Sequence, residues 1–239
     1  MIDAGLRIDR RWPAPSRVPR VKICGITRPD LADAAIAAGA DMIGLVHFAP
    51  SPRHLTLDEA RAIADHVRGR VTLVALTVDA DDATLDALAR TVRPDAIQFH
   101  GKERPAHVAA VGARHDVAVA KAVGVATRAD LAAVGDYAGA LIVLDAKPPK
   151  GADRPGGHGA AFDWSLLSAM PADTPYMLSG GLSPETVGAA LATVGPYALD
   201  VSSGVETDRI KDPAKMAAFV AAARGGGAAR RGADAVHPA

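Results

Sequence analysis

Eight short β-rich runs alternate with helical segments along most of this chain, and that alternation constrains the fold more than any other feature. The runs are apolar at consecutive positions, which is typical of parallel strands buried on both faces. They occupy residues 21–24, 41–48, 71–78, 95–100, 117–123, 140–145, 175–179 and 197–203. Successive runs begin about 25 residues apart, the spacing of a barrel of eight strand–helix units. The sequence therefore predicts a single-domain α/β protein with the (β/α)8 (TIM) barrel fold.

A doubly wound open sheet is the competing architecture, but its usual five or six strands would leave two units unused. The barrel is predicted over residues 21–224, and it is closed by a helix that begins near Pro213. Residues 1–20 lack periodicity and are rich in Arg and Pro, whereas residues 225–239 are rich in Gly and Ala. Both ends are therefore expected to be disordered extensions. Thr27–Asp30 is a candidate capping box for the first helix.

The composition excludes several classes of function. Lys plus Arg and Asp plus Glu are equal at 27 each, so no global field favours nucleic acid or an anionic membrane. No apolar run is long enough to span a bilayer, and a single cysteine excludes an internal disulfide or a Cys-rich metal site. The histidines show no metal-ligand spacing. We expect a cytoplasmic protein without a metal or an organic cofactor.

The two residues with the clearest chemical potential stand at predicted strand ends. Cys24, the one cysteine, closes the first strand, and Asp145 closes the sixth. A cysteine in an apolar strand is more often inert filling than a reactive group. A carboxylate after four aliphatic residues is costly to bury unless it is paired or used. In a (β/α)8 barrel, however, the active site is built from strand C-termini and the loops that follow them.

Three glycine-bearing turns follow the sixth, seventh and eighth strands. They include Gly157 and Gly159, then Gly180 and Gly181, and finally Ser203 with Gly204. This is where phosphate-binding barrels hold a phosphate on backbone N–H groups. Two more residues are candidates for binding a ligand. Arg53, in a proline-stiffened loop after the second strand, suits a carboxylate or phosphate, and His100 ends the fourth strand.

The motifs KICGIT, SPR, QFHG, LD at 144–145, GGHGAAFDW, SGGL and DVSSGVE, in this order, resemble the phosphoribosylanthranilate isomerase family of tryptophan biosynthesis. The resemblance covers about residues 21–224. It implies an Amadori rearrangement with Cys24 as general base, Asp145 as general acid and Arg53 on the anthranilate carboxylate. It also implies that the three glycine turns bind the phosphate. His158 departs from the family, which more often has a small hydroxyl residue there.

Two alternatives remain open at this stage. A sister aminoaldose–ketose isomerase of histidine synthesis uses two aspartates, but Cys24 stands where its first carboxylate would be. A non-catalytic phosphate-binding barrel would keep the glycine turns, with no reason to retain both Cys24 and Asp145. The ligand implied is a small phosphorylated molecule, and a monomer is expected rather than a dimer. A base at Cys24 must be a thiolate, which the N-terminus of the first helix or Arg53 would favour.

Overall fold

A computed structural model describes residues 9, 11–16, 18–147, 161–170 and 174–234, with residues 226–234 given by their backbone. Eight parallel strands close into one barrel in sequence order, each paired with the next and the eighth with the first. The prediction of a (β/α)8 barrel is confirmed. The strands are β1 (Arg20–Cys24), β2 (Met42–Val46), β3 (Thr72–Thr77), β4 (Ala96–Phe99), β5 (Ala118–Val125), β6 (Leu141–Ala146), β7 (Tyr176–Leu178) and β8 (Ala198–Val201).

A helical segment follows every strand of the barrel. Six are α-helices: α1 (Pro29–Ala37), α2 (Leu57–Val67), α3 (Asp82–Val92), α4 (Pro105–His115), α5 (Val187–Thr193) and α6 (Pro213–Asp234). The segments after β5 and β6 are 3₁₀ helices, Arg128–Asp136 and Trp164–Ala169. A short 3₁₀ turn (Ser203–Val205) and a hairpin of β9 (Glu206–Thr207) with β10 (Ile210–Lys211) separate β8 from α6.

Local sequence signals explain where several helices begin. Thr56 and Glu59 form a reciprocal capping box at the start of α2, and Pro29 occupies the first turn of α1. The capping box expected at Thr27–Asp30 is wrong. The N-cap of α1 is Arg28, which makes no side-chain cap and instead pairs with Asp30 through its guanidinium. Pro29 offsets the missing cap because it lacks an N–H that would need a partner.

Apolar side chains form a layer between the strands and the helices, and a second cluster fills the barrel interior at its N-terminal end. The interior cluster contains Trp12, Met42, Val74, Ala96, Ala118, Ala120, Leu141, Val143, Met177, Tyr197 and Ala198. Four of these are alanines, so the barrel wall leaves room for a large ring. Trp12 supplies that ring from outside the barrel strands and is 2% exposed.

The expectation that residues 1–20 are disordered is wrong for the described residues around Trp12. The carbonyl of Pro13 accepts a hydrogen bond from the Tyr197 hydroxyl at 2.5 Å. The carbonyl of Ala14 accepts two from the Arg20 guanidinium. Sequence periodicity missed this segment because one inserted aromatic side chain creates no repeating pattern.

The last helix differs from the prediction at its C-terminal end. Met216, Phe219 and Val220 are buried on the barrel as expected, but α6 continues through Asp234 instead of ending near Arg224. The Ala and Arg residues after the three glycines favour helix, and extending an existing helix costs far less than starting one. Among the helices the structure describes, none is long and apolar enough to cross a membrane.

Candidate active site

The C-terminal ends of the strands form a mouth, and Cys24 lies at its wall as the last residue of β1. Its side chain is buried and packs with Val46 and Leu76, near the C-terminal ends of β2 and β3. Gly44 is the register partner of Cys24 on β2. Cys24 therefore faces the barrel interior beneath an apolar rim rather than the surrounding helices.

Burial raises the pKa of the Cys24 thiol above its ordinary value. The positive charge of Lys22 opposes that rise most strongly, and the charge of Lys211 also opposes it, whereas the Asp200 carboxylate raises the pKa further. The expectation that the start of the first helix or Arg53 makes Cys24 a thiolate is wrong in direction. Desolvation of a thiolate outweighs the nearby cations here.

Asp145 lies near the end of β6 and is 7% exposed. One carboxylate oxygen, Oδ1, accepts a hydrogen bond from the backbone N–H of Ala146 at 2.8 Å. The other, Oδ2, lies 3.3 Å from Nε2 of His100, which directly follows β4. The fully buried Gln98 contacts the other imidazole nitrogen through Nε2 at 3.1 Å. The structure thus brings two predicted site residues, Asp145 and His100, into contact, with Gln98 on the far side of the imidazole.

Arg53 projects from the loop after β2 and makes a bidentate ion pair with Glu206. The Nε and Nη2 atoms each donate to one carboxylate oxygen at 2.7 Å. The ammonium of Lys211, which is buried, binds the same carboxylate. Although burial alone would raise the pKa of Glu206, Arg53 and Lys211 hold it below its ordinary value. A guanidinium has five N–H groups, so this pairing leaves three for a ligand.

The glycine turns after β7 and β8 pack closely against each other. A Cβ on Gly204 would lie 1.9 Å from the carbonyl oxygen of Leu182, so only glycine fits at that position. Gly180 and Gly181 both have positive φ, the left-handed conformation that glycine adopts without strain. Ser203 begins the 3₁₀ turn that carries Gly204. These two turns therefore lie side by side at the C-terminal ends of β7 and β8, and their role in binding phosphate stays a prediction.

The other two predicted phosphate residues, Gly157 and Gly159, lie outside the described residues, as does His158. Within the part of the chain that is described, no group of three or more His, Cys, Asp or Glu side chains could hold a metal ion.

Sequence reasoning missed five residues that contact or act on the predicted ones: Lys22, Gln98, Asp200, Glu206 and Lys211. A signal existed for two of them. Lys22 and Asp200 are charged residues inside apolar strand runs, where burial demands a partner. Glu206 carried no such signal, because it follows the predicted strands in a polar loop.

Comparison with known proteins places this site in a family. Residues 21–222 match the family model described as N-(5'phosphoribosyl)anthranilate (PRA) isomerase. A protein named N-(5'-phosphoribosyl)anthranilate isomerase from Afipia carboxidovorans is 50% identical over 222 residues, which cover 92% of this chain and 95% of the relative.

Two solved structures have the same fold. The crystal structure of phosphoribosyl anthranilate isomerase from Thermotoga maritima has a TM-score of 0.77 and 35% identity, covering 87% of this chain and 99% of its own. A structure of the same enzyme type in complex with reduced 1-(o-carboxyphenylamino)-1-deoxyribulose 5-phosphate has a TM-score of 0.74 and 33% identity, with the same coverage. This chain belongs to the phosphoribosylanthranilate isomerase family.

Proposed function

We propose that this protein isomerises N-(5'-phosphoribosyl)anthranilate with Cys24 as general base and Asp145 as general acid. The observation that carries these roles is their placement. One thiol and one carboxyl group stand at the C-terminal ends of β1 and β6, on the mouth of a single barrel. An Amadori rearrangement needs one acid and one base, and the two groups supply that pair.

The acid acts first in the proposed reaction. Protonated Asp145 gives its proton to the furanose ring oxygen, and the ring opens to an imine. The carboxylate left behind is stabilised by the N–H of Ala146 and by Nε2 of His100, which already contact its two oxygens. His100 therefore acts on Asp145 in this scheme, which refines its predicted role as a substrate-binding residue.

The base completes the rearrangement. The Cys24 thiolate removes the proton from the carbon next to the imine, giving an enolamine that tautomerises to the ketone. Val46 and Leu76 pack against Cys24, and this apolar rim limits access of water to the thiolate. A thiolate in a dry site is a stronger base than one in water, because ionisation is disfavoured there.

The two ends of the substrate find partners on opposite sides of Cys24. The free N–H groups of Arg53 suit the anthranilate carboxylate, because Glu206 fixes the guanidinium from one edge and leaves the other open. The backbone of the turns at Gly181 and Gly204 suits the phosphate. Gly157 and Gly159 are proposed to join that phosphate site.

Of the two alternatives, the sister isomerase requires a carboxylate at the end of the first strand, where β1 ends in Cys24. A non-catalytic barrel has no use for an acid whose two oxygens are both engaged at the mouth, as those of Asp145 are. Both would fail to convert phosphoribosylanthranilate.

The decisive experiment follows the loss of anthranilate-type fluorescence when phosphoribosylanthranilate is added. We expect Cys24→Ala and Asp145→Asn each to lower kcat by about 10²–10⁴-fold, the range of positioned acid–base groups, with unchanged circular dichroism. Asp136→Asn, which changes an exposed carboxylate at the end of the 3₁₀ helix before β6, serves as the control with full activity. Near-full activity of Cys24→Ala would refute the assignment of the base.

The assembly and location are also part of the proposal. Among the described residues Ile210 is the one large apolar side chain that is exposed, and a stable homodimer usually buries a more apolar patch. We therefore expect a cytoplasmic monomer. Light scattering after gel filtration tests the monomer, and a mass of twice the chain would refute it.

A further inference from the structure

Lys22 is a lysine buried completely inside the barrel, and the mechanism above does not use it. It is 0% exposed and lies two residues before Cys24 on β1. Side chains alternate along a strand, so residues two apart point to the same face. Lys22 and Cys24 therefore both face the barrel interior, with the ammonium one layer beneath the thiol.

The ammonium of Lys22 pairs with Asp200 beside the Cys24 thiol. Its Nζ lies 3.0 Å from Oδ1 of Asp200, which is the register partner of Lys22 on β8. A lysine has three N–H donors, and the ammonium lies close enough to Cys24 for the two groups to act on each other's pKa. Burial by itself lowers the pKa of Lys22, but Asp200 and Cys24 outweigh burial and raise it. The ammonium therefore stays charged beneath the thiol.

The neighbouring strand, β2, leaves room for the side chains of Lys22 and Cys24. A Cβ on Gly44 would lie 2.8 Å from the Cys24 sulfur and 3.2 Å from Cε of Lys22. Both distances are shorter than ordinary contacts, so any side chain at Gly44 would displace the thiol or the lysine. The sulfur and the end of the lysine side chain thus meet over the one residue of β2 that has no side chain.

We propose that Lys22 is a positioning residue for the base of this enzyme, and that its ammonium, paired with Asp200 beside the Cys24 sulfur, favours the reactive thiolate form of Cys24. The inference rests on the proposed role of Cys24. Lys22 keeps its own proton throughout. The thiol proton leaves to solvent before the reaction, and the thiolate then takes the substrate carbon proton while Lys22 remains its counter-ion.

The charges that face Cys24 set the sign of each expected effect. Burial raises the pKa of Cys24, Lys22 and Lys211 lower it, and Asp200 raises it. Arg53 lies close enough for Cys24 to act on it as well. Removal of Lys22 must therefore reduce the thiolate fraction at a given pH, and removal of the Asp200 charge must increase it. An ion pair that served stability alone would give no such opposite pair of effects.

Alkylation by iodoacetamide measures the thiolate directly, because Cys24 is the only cysteine in the chain. We expect Lys22→Met to lower the alkylation rate of the folded full-length protein at pH 7.5 by about tenfold or more, the effect of one pKa unit. Asp200→Asn should raise that rate severalfold. Both variants should react like the wild type in urea, where the surroundings of Cys24 are lost.

Lys121→Met is the matched control. Lys121 is also a buried lysine in an ion pair, with Glu103 at 3.0 Å, and it contacts the Gly101 carbonyl rather than Cys24. Its replacement should lower stability without changing the alkylation rate of the folded protein. The pH profile of kcat gives a second measurement on the active enzyme. A profile of Lys22→Met that is displaced to higher pH than that of the wild type would support the proposal.

Unchanged alkylation of Lys22→Met, with a lower urea midpoint, would overturn the proposal and leave a structural ion pair. If Lys22→Met fails to fold, the test rests on Asp200→Asn. An alkylation rate of Asp200→Asn at or below that of the wild type would overturn the proposal. The alkylation assay contains no substrate. Failure of the proposed isomerase function would therefore appear only in the fluorescence assay, and the two failures remain distinct.

Discussion

Replacing Trp12 by alanine tests whether the N-terminal segment is part of the barrel. The indole is 2% exposed and fills the N-terminal end of the interior beside Met42, Met177 and several alanines. Those neighbours project from strands held by the barrel hydrogen bonds, so they cannot collapse into the space left by Trp12→Ala. The substitution should therefore leave a cavity open to the floor of the barrel.

The expected cost follows from the buried area. A tryptophan buries roughly 200 Å², which at about 25 cal/mol per Å² gives about 5 kcal/mol as an upper value. Measured Trp-to-Ala substitutions in cores cost about 3–5 kcal/mol. We therefore expect Trp12→Ala to lower the free energy of unfolding by about 3–5 kcal/mol, a large part of the stability of an ordinary domain.

Urea unfolding followed by circular dichroism measures this loss on the full-length protein. The matched control is Trp164→Ala, which removes the other tryptophan from a half-buried position on the outer core and should cost less. Because the floor lies at the opposite end of the barrel from Cys24, kcat/KM of folded Trp12→Ala should equal that of the wild type. A loss below about 1 kcal/mol, within the scatter of ordinary surface changes, would refute the claim that this segment seals the barrel.

Three further predictions concern the mouth and the floor. Arg53→Ala should raise KM by about 10–100-fold, which corresponds to the loss of a charge-assisted hydrogen bond of about 1.5–3 kcal/mol. Inhibition by inorganic phosphate should be unchanged, and its loss would instead place Arg53 in the phosphate site. Gly204→Ala must displace the Leu182 carbonyl and should weaken inhibition by phosphate. The control Gly188→Ala adds a Cβ in open space on α5 and should leave that inhibition unchanged. Equal effects of the two variants would contradict the assignment of the Gly204 turn to the phosphate site. Burial raises the pKa of Tyr197 far above its ordinary value, so folding favours the neutral phenol. The stability gained in this way is complete below about pH 10, which is the pKa of tyrosine in the unfolded chain, and it declines at higher pH. Tyr197→Phe should accordingly be less stable than the wild type at pH 8 in urea titrations, and the difference should shrink at pH 10.5; a constant difference would contradict this account.

The barrel could be predicted from the sequence because the signals for its strands and helices lie within short stretches of the chain. The strand runs are largely apolar on both faces, and several helices carry a start signal, such as the capping box of Thr56 and Glu59. Local pattern also places residues at strand ends, and the sequence therefore predicts Cys24, Asp145 and His100 as site residues. Trp12 could not be identified in this way, since its partners are alanines and methionines that become neighbours only when the barrel closes.

The charged partners of the site residues could not be predicted from the sequence, for the same reason. Lys22 and Asp200 are 178 residues apart in the chain and meet because β8 pairs with β1 to close the barrel. Arg53 and Glu206 are 153 residues apart, and each looks like a surface residue in its own loop. The sequence predicts the acid and the base, but the charged groups that act on them come together only when the strands close into a barrel.

Those partners form one charge balance at the mouth. The buried charged groups that pair with one another or act on Cys24 are Lys22, Arg53, Asp200, Glu206 and Lys211. Three cations against two carboxylates leave one positive charge, which a Cys24 thiolate would neutralise. A substrate carboxylate that binds Arg53 brings a further negative charge, and like charges raise the proton affinity of the thiolate. On the proposed roles, this positive charge offsets part of the rise that burial causes in the pKa of Cys24 in the empty site, and the thiolate becomes a stronger base when the substrate arrives.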